Sequence, residues 1–325
     1  MIVIENLTHV YPGTRKLGPR TAISDLSLSV AEGEFAILSG PNGSGKSTLF
    51  RILCGLALPS AGRVRIAGYD LFTQPAKVRE VLGVVFQSPA VDKHLTVAEN
   101  LKIHGDLYGL TDFRARRDEA LAWTDLGDRL DQKVDTLSGG LARQVELAKV
   151  MMTRPRVLLL DEPTTGLDPS SRRSFLSALH RLQAEKKMTV LMTSHVFAEA
   201  EDVDRVAIMQ NGRLLAYDSP RALKAMIGTE MVVIQPVGDA ETLAERMRGE
   251  MGLAVRLHGD EIRLEETENG EGLPLLERIL DRYRPEIQSI SIKQPGLDDV
   301  FVHVTGRAVP EHAADTALLQ RTGTR

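Results

Sequence analysis

The sequence predicts an α/β protein. A core mixed sheet alternates with helices, an antiparallel edge sheet precedes it, a helical insertion interrupts it, and a small α+β unit follows. Three observations carry this reading. Apolar runs of strand length alternate with helical periodicity through Phe35-Ala36-Ile37-Leu38, Val157–Asp161 and Met188–Thr193, and strand–helix alternation argues for a parallel sheet with right-handed crossovers. Gly40-Pro41-Asn42-Gly43-Ser44-Gly45-Lys46-Ser47 stands between the first of these runs and Leu49, Ile52, Leu53 and Leu56, which share helical spacing. Beyond Gly228 a second pattern begins, β-α-β-β-α-β, with its own apolar set.

Taken in order, residues 2–37 read as strands of an edge sheet, with Leu26, Leu28 and Val30 alternating with serines and Tyr11 in a loop between Val10 and Pro12. Glu32-Gly33-Glu34 turns the chain into the strand before the glycine-rich stretch. Val64 and Ile66 alternate with arginines as another strand, and Val81–Phe86 reads as a buried strand ending at Gln87. From Thr96 to about Thr153 the pattern is helical: Thr96 and Glu99 make a capping box, and Val97, Leu101, His104 and Tyr108 share a face. Asp168-Pro169 opens a helix after the Val157–Asp161 strand. Asn211-Gly212 between Arg205–Gln210 and Arg213–Tyr217 is a two-residue hairpin signal. Ser219 and Pro220 start a helix that stops at Gly228. The expected domains are therefore 1–228, with the helical insertion at about 88–155, then 229–306, then a loose tail at 307–325.

Composition narrows the function. The chain has 325 residues, 26% of them charged, and a net charge of −4, which argues against a nucleic-acid surface. The single cysteine, Cys54, excludes an internal disulfide and fits a reducing compartment; on an apolar helix it reads as a small buried hydrophobe. Val157-Leu158-Leu159-Leu160 is far shorter than a membrane span needs. Ile2-Val3-Ile4 begins a strand directly, so the expectation is a cytoplasmic protein without a signal peptide, reaching any membrane through a partner.

The residues themselves point to a nucleoside triphosphate. Glycines at 40, 43 and 45 let backbone N–H groups curl around phosphate oxygens where a Cβ would collide, and the helix starting near Lys46 aims its positive dipole end at the same anion. Lys46 would reach the β/γ-phosphates, Ser47 would offer its hydroxyl to Mg²⁺, and Thr48 completes the binding stretch. Asp161 at the tip of an apolar strand would hold Mg²⁺ through water, and Glu162 beside it would orient or deprotonate the attacking water. Leu137-Ser138-Gly139-Gly140 makes a second exposed helix N-terminus. That pattern reads either as a glycine-eased helix start or as a second anion site. One ATP needs only one such end, so the second reading implies a head-to-tail pair of chains, each lending this end to its neighbour's nucleotide.

In this combination and order the motifs resemble the nucleotide-binding subunit of an ATP-binding-cassette (ABC) transporter, over roughly residues 2–228. The resemblance implies a phosphate-loop NTPase (RecA-like) core with ATP and Mg²⁺ as cofactors. It further implies that Tyr11 stacks on adenine and that Gln87 touches Mg²⁺ and water while sensing the membrane subunit. By the same resemblance Gly166-Leu167-Asp168 crosses a dimer interface, and His195 contacts the γ-phosphate. The implied partners are a second copy of the chain and a separate transmembrane permease, which would hold the protein on the inner face of the membrane.

There is a departure. The family's signature usually continues with Gln and then Gln-Arg two residues on, whereas here Leu141-Ala142-Arg143-Gln144 follows. An apolar residue at 141 is similar to export-type cassettes of the daunorubicin-resistance kind, as are Leu95–Leu101 and the stretch Pro295–Phe301. Residues 229–306 read as a ferredoxin-like accessory unit without a catalytic constellation. Two other classes are weighed. A soluble cassette ATPase on ribosomes or DNA usually carries two cassettes or a long coiled-coil insertion, and a binding-only switch has no need of Glu162.

Overall fold

A computed structural model of the chain describes residues 1–13, 18–228, 230–265 and 272–305; the tail expected at 307–325 lies outside them. The structure divides into two compact units, Met1–Pro220 and Arg221–Arg325. The division falls in the first turn of a helix at Pro220–Ala225, earlier than the boundary at 228 that the sequence suggested.

The first unit opens with strands β1 (Ile2–Tyr11), β2 (Arg20–Val30) and β3 (Phe35–Ser39), then helix α1 (Lys46–Leu53). Next come β4 (Ala61–Ile66), β5 (Tyr69–Asp70), α2 (Pro75–Val81) and β6 (Leu82–Val85). The insertion holds α3 (Val97–Leu107), α4 (Phe113–Leu121) and α5 (Gly139–Met151). The chain then runs through β7 (Val157–Asp161), α6 (Pro169–Lys186), β8 (Thr189–Thr193), β9 (Arg205–Gln210) and β10 (Arg213–Asp218).

These strands form two sheets. An antiparallel sheet has the order β2-β1-β4-β5, and a mixed sheet has the order β10-β9-β3-β8-β7-β6. In the mixed sheet β9, β3, β8, β7 and β6 pair in parallel and β10 is an antiparallel edge. Every residue of β3 and β8 is buried, as parallel strands covered on both faces require, whereas β1 alternates. One core joins the two sheets: Ile2, Ile4 and Val64 from the antiparallel sheet pack with Leu38, Leu49, Leu159 and Leu191.

Several local expectations meet their structure directly. Thr96 and Glu99 form the reciprocal capping box, with Thr96 N donating to Glu99 Oε2 at 2.7 Å and Glu99 N to Thr96 Oγ1 at 3.2 Å. Asn211 (φ 50°) and Gly212 (φ 77°) supply the two left-handed residues of the β9–β10 hairpin. Two expectations are corrected. Tyr11 is not in a loop but is the last residue of β1, paired with Arg20 of β2, because the strand extends while ladder partners last. Val81 ends α2, a short helix begun by Pro75 at its first turn, so β6 starts only at Leu82 and stops before Phe86. Tyr108 follows the last helical turn of α3 and is exposed, yet it keeps the expected face, its ring against that of His104 with centroids 4.6 Å apart.

The second unit contains helix α7 (Pro220–Ala225), β11 (Met231–Pro236), α8 (Ala240–Met251), β12 (Val255–His258) and β13 (Glu261–Glu265). It continues with α9 (Gly272–Tyr283), β14 (Ile287–Lys293) and α10 (Leu297–Thr305). The sheet order β12-β13-β11-β14, antiparallel throughout, is that of a split β-α-β unit. Leu243, Met247 and Ile279 of the two helices bury against Val232, Ile234, Ile262 and Leu264. The helix α10 has no counterpart in the sequence reading. Among the described residues no helix is long and apolar enough to cross a membrane.

Candidate active site

The C-terminal ends of β3, β8, β7 and β6 lie side by side in that order, and each carries one part of the site. Beyond β3 the chain curls through Gly40–Gly45 into α1. Gly40 (φ 153°) and Gly45 (φ 109°) make this turn; a Cβ on Gly40 would sit 2.3 Å from the Met209 carbonyl oxygen, and one on Gly45 2.6 Å from that of Ala22. Only glycine fits either position. The Lys46 side chain is buried and turned into the curl, its Nζ donating to the carbonyls of Gly40 at 2.6 Å and Pro41 at 3.2 Å. Burial lowers its pKa, partly opposed by the Glu162 and Asp161 carboxylates. Inside the same curl the Ser44 hydroxyl is buried without a hydrogen-bond partner among the described residues.

Beyond β7, Asp161 and Glu162 take different surroundings. Asp161 Oδ1 accepts from Thr193 Oγ1 at 2.7 Å, and burial raises its pKa. Glu162 stands at φ 42°, a left-handed conformation costing a non-glycine residue on the order of 1–3 kcal/mol, which turns its side chain out of the strand direction. Its N–H donates to Thr193 Oγ1 at 2.8 Å. Its Oε2 gathers Gln87 Nε2 at 3.2 Å, Thr165 Oγ1 at 3.4 Å and His195 Nδ1 at 3.4 Å. The His195 contact holds the Glu162 carboxyl below its ordinary range, and Glu162 in turn raises the pKa of His195.

A cleft of about 290 Å³ is lined by Tyr11, Asn42, Gly43, Gly45, Lys46, Ser47, Thr48 and Glu162, together with Arg20 and Ala22. Tyr11 stands at its rim, its hydroxyl 3.2 Å from Thr48 Oγ1 and its ring edge-on to His9 with centroids 4.6 Å apart.

Ser138, Gly139, Gly140 and Asp168 are not among the residues lining this cleft. Ser138 caps α5, its Oγ accepting from Leu141 N at 3.3 Å. Gly140 lets α5 approach α6 closely: a Cβ there would stand 2.4 Å from Ser171 Cβ. Asp168 spends its carboxylate on capping α6, accepting from the N–H groups of Ser170 and Ser171, both at 3.0 Å.

Sequence reasoning missed three residues. Thr193 ties Asp161 to the Glu162 backbone. Glu199 accepts from Thr164 Oγ1 and Ser194 Oγ, each at 2.6 Å, joining the segments after β7 and β8. Arg143 grips the backbone at Phe86 and Gln87. A polar residue closing an otherwise apolar strand was the available sign for Thr193, and charge within the apolar-periodic helix α5 was the sign for Arg143.

A glycine curl holding an inward lysine, beside a strand-end Asp-Glu pair, defines a phosphate-loop ATPase. A family model described as ABC transporter matches residues 23–165. The chain is 34% identical over 324 residues to the daunorubicin/doxorubicin resistance ATP-binding protein DrrA of Streptomyces peucetius, covering 97% of this chain and 96% of that protein. It is 30% identical to the linearmycin resistance ATP-binding protein LnrL of Bacillus subtilis, covering 95% of this chain and 99% of that protein. Among solved structures it resembles a dimeric ATP-binding cassette in a post-hydrolysis state with ADP and phosphate, at 27% identity and TM-score 0.60, over 67% of this chain and 98% of that one. The chain belongs to the ABC transporter family, as one of its ATP-binding, ATP-hydrolysing subunits.

Proposed function

We propose that the protein works as a head-to-tail homodimer on a separate transmembrane permease and drives export of drugs or other amphipathic compounds. The observation that carries the catalytic part is the gathering of Lys46, Asp161, Glu162, His195 and Gln87 at neighbouring strand ends of one sheet. Lys46 exchanges its two carbonyl bonds for β- and γ-phosphate oxygens, the backbone of Gly40–Gly45 donates to the phosphates, and Tyr11 offers its ring to the adenine. Ser47 and Asp161 would hold Mg²⁺, which supplies charge neutralisation between the phosphates. The fit is good in kind: one hydroxyl and one carboxylate suit an ion that completes its shell with waters and substrate phosphates. Glu162 accepts the proton of the attacking water, and His195 and Gln87 keep its carboxylate aimed.

The exposure of Ser138 and Asp168 at two helix starts, together with the dimeric cassette among similar solved structures, supports the reading that they serve the partner's nucleotide. Relatives named for resistance to daunorubicin, doxorubicin and linearmycin, and for Nod factor export, support outward transport over a ribosome- or DNA-bound role. The protein is then peripheral on the inner face of the membrane. The second unit serves as an accessory to the cassette. The test is ATP hydrolysis by the full chain reconstituted with its permease in lipid, with Lys46→Ala as the control. Wild-type protein that binds no fluorescent ATP analogue, or Lys46→Ala protein that binds it equally well, would overturn the assignment.

A further inference from the structure

A buried arginine connects α5 to the loop that carries Gln87. Arg143 is 2% exposed. Its Nη1 donates to the Phe86 carbonyl at 2.6 Å and its Nη2 to the Gln87 carbonyl at 2.6 Å. The same guanidinium pairs with Glu146, one turn further along α5 and buried too. Glu146 Oε1 accepts from Ala90 N at 3.2 Å, and Lys149 Nζ donates to the Ala90 carbonyl. One face of α5 therefore grips the main chain at 86, 87 and 90.

That grip answers a need of the site. Residues 86 and 87 follow β6 and belong to no helix or strand, and both are exposed. Yet the Gln87 amide must stand within hydrogen-bond reach of Glu162 Oε2, where it is found at 3.2 Å. A planar guanidinium can donate to two consecutive carbonyls and an acid at once, a geometry that an ammonium cannot reproduce. The neighbouring Gln144 does different work, its Nε2 donating to Asp125 Oδ2 at 2.9 Å. The order Arg143-Gln144 is what puts the guanidinium, and not the amide, on the loop.

We infer that Arg143 is a positioning residue for ATP hydrolysis: it fixes the backbone of Phe86 and Gln87 so that the Gln87 amide stays on the Glu162 carboxylate. This rests on the reading of Glu162 as the group that accepts the water's proton. Arg143 does not line the nucleotide cleft, so its effect runs through Gln87.

The experiment is a double-mutant cycle on the full chain, with kcat from phosphate release and nucleotide affinity from a fluorescent ATP analogue. Arg143→Lys keeps a cation opposite Glu146 and removes the two-carbonyl grip. It is expected to keep its thermal unfolding transition and analogue affinity near wild type while kcat falls about tenfold, equal to about 1.4 kcal/mol. In a Gln87→Ala background the same change should lower kcat no further, since two changes acting through one contact are not additive. An undiminished tenfold fall in that background would overturn the inference, as would full kcat in Arg143→Lys. Affinity lost in step with kcat, or loss of the folded state, would mark Arg143 as structural only and overturn it as well. Failure of the underlying reading looks different: Glu162→Gln would then turn over ATP normally.

Discussion

Gln87 Nε2 and Glu162 Oε2 meet at 3.2 Å although 75 positions separate them in the chain. The contact exists because β6 and β7 are parallel neighbours, with Val85 beside Leu160, so both chains leave the sheet at the same edge. It brings the loop before the helical insertion onto the Glu162 carboxylate.

Glu162→Gln should preserve ATP binding and lower turnover by about 10²–10⁴-fold, the usual contribution of a positioned general base. The amide keeps the side chain's shape but cannot take a proton, so the ATP-bound dimer should accumulate. Gel filtration with ATP and Mg²⁺ checks this. A variant that stays monomeric at high protein concentration contradicts the assignment.

Ser138→Arg should reduce turnover steeply and leave the nucleotide affinity of the single chain within about twofold. On the proposed head-to-tail reading, the exposed Ser138 at the α5 cap serves the partner's nucleotide, so a bulky cation there should disturb that site and spare its own. Equal loss of affinity and turnover would place Ser138 in its own chain's site and remove the head-to-tail reading.

His195 should titrate above 6.5, its ordinary value, because Glu162 favours the imidazolium. The sign follows from both partners. The raised histidine contributes stability below 6.5 that is lost as pH rises through its folded value, and the lowered Glu162 contributes above 4.5 and is lost as pH falls through its own. Their attraction is complete between those two pH values and is moderated by solvent, since the imidazole is one-third exposed. Proton NMR of the His195 ring should show its pKa fall in Glu162→Gln. An unchanged titration would mean that Glu162 is not its principal partner.

Gly140→Ala should destabilise the first unit by about 1–2 kcal/mol. Alanine gains roughly 0.5–1 kcal/mol in a helix over glycine, but overpacking costs typically 1–3 kcal/mol. Its Cβ would stand 2.4 Å from Ser171 Cβ, and neither atom can rotate away, so α5 and α6 must separate. Thermal unfolding measures it, and a transition at or above wild type would show that the helices yield without cost.

The sequence alone determined the elements whose signal is local. Gly40–Ser47 between an apolar run and a helical one, the Thr96–Glu99 box and the Asn211-Gly212 turn each depend on neighbouring residues only, and backbone sterics and caps act at that range. It also proposed Lys46, Asp161 and Glu162 as site residues, and the family resemblance added His195. What it left open was set by long-range contact. Only the strand order β3-β8-β7-β6 places His195 between the phosphate loop and Glu162, and Gln87 on the far side of that pair. Tyr11 became a strand end through pairing with Arg20, and Val81 became helix because Pro75 starts a turn that the apolar run did not reveal. The local signs at Thr193 and Arg143 marked the residues but not their partners, and Glu199 carried no such sign, since each acts on residues that the fold, not the chain, puts beside it. Hydrogen-bond partners across a sheet or between helices are chosen by packing of the whole core, and no window of neighbouring residues contains that choice.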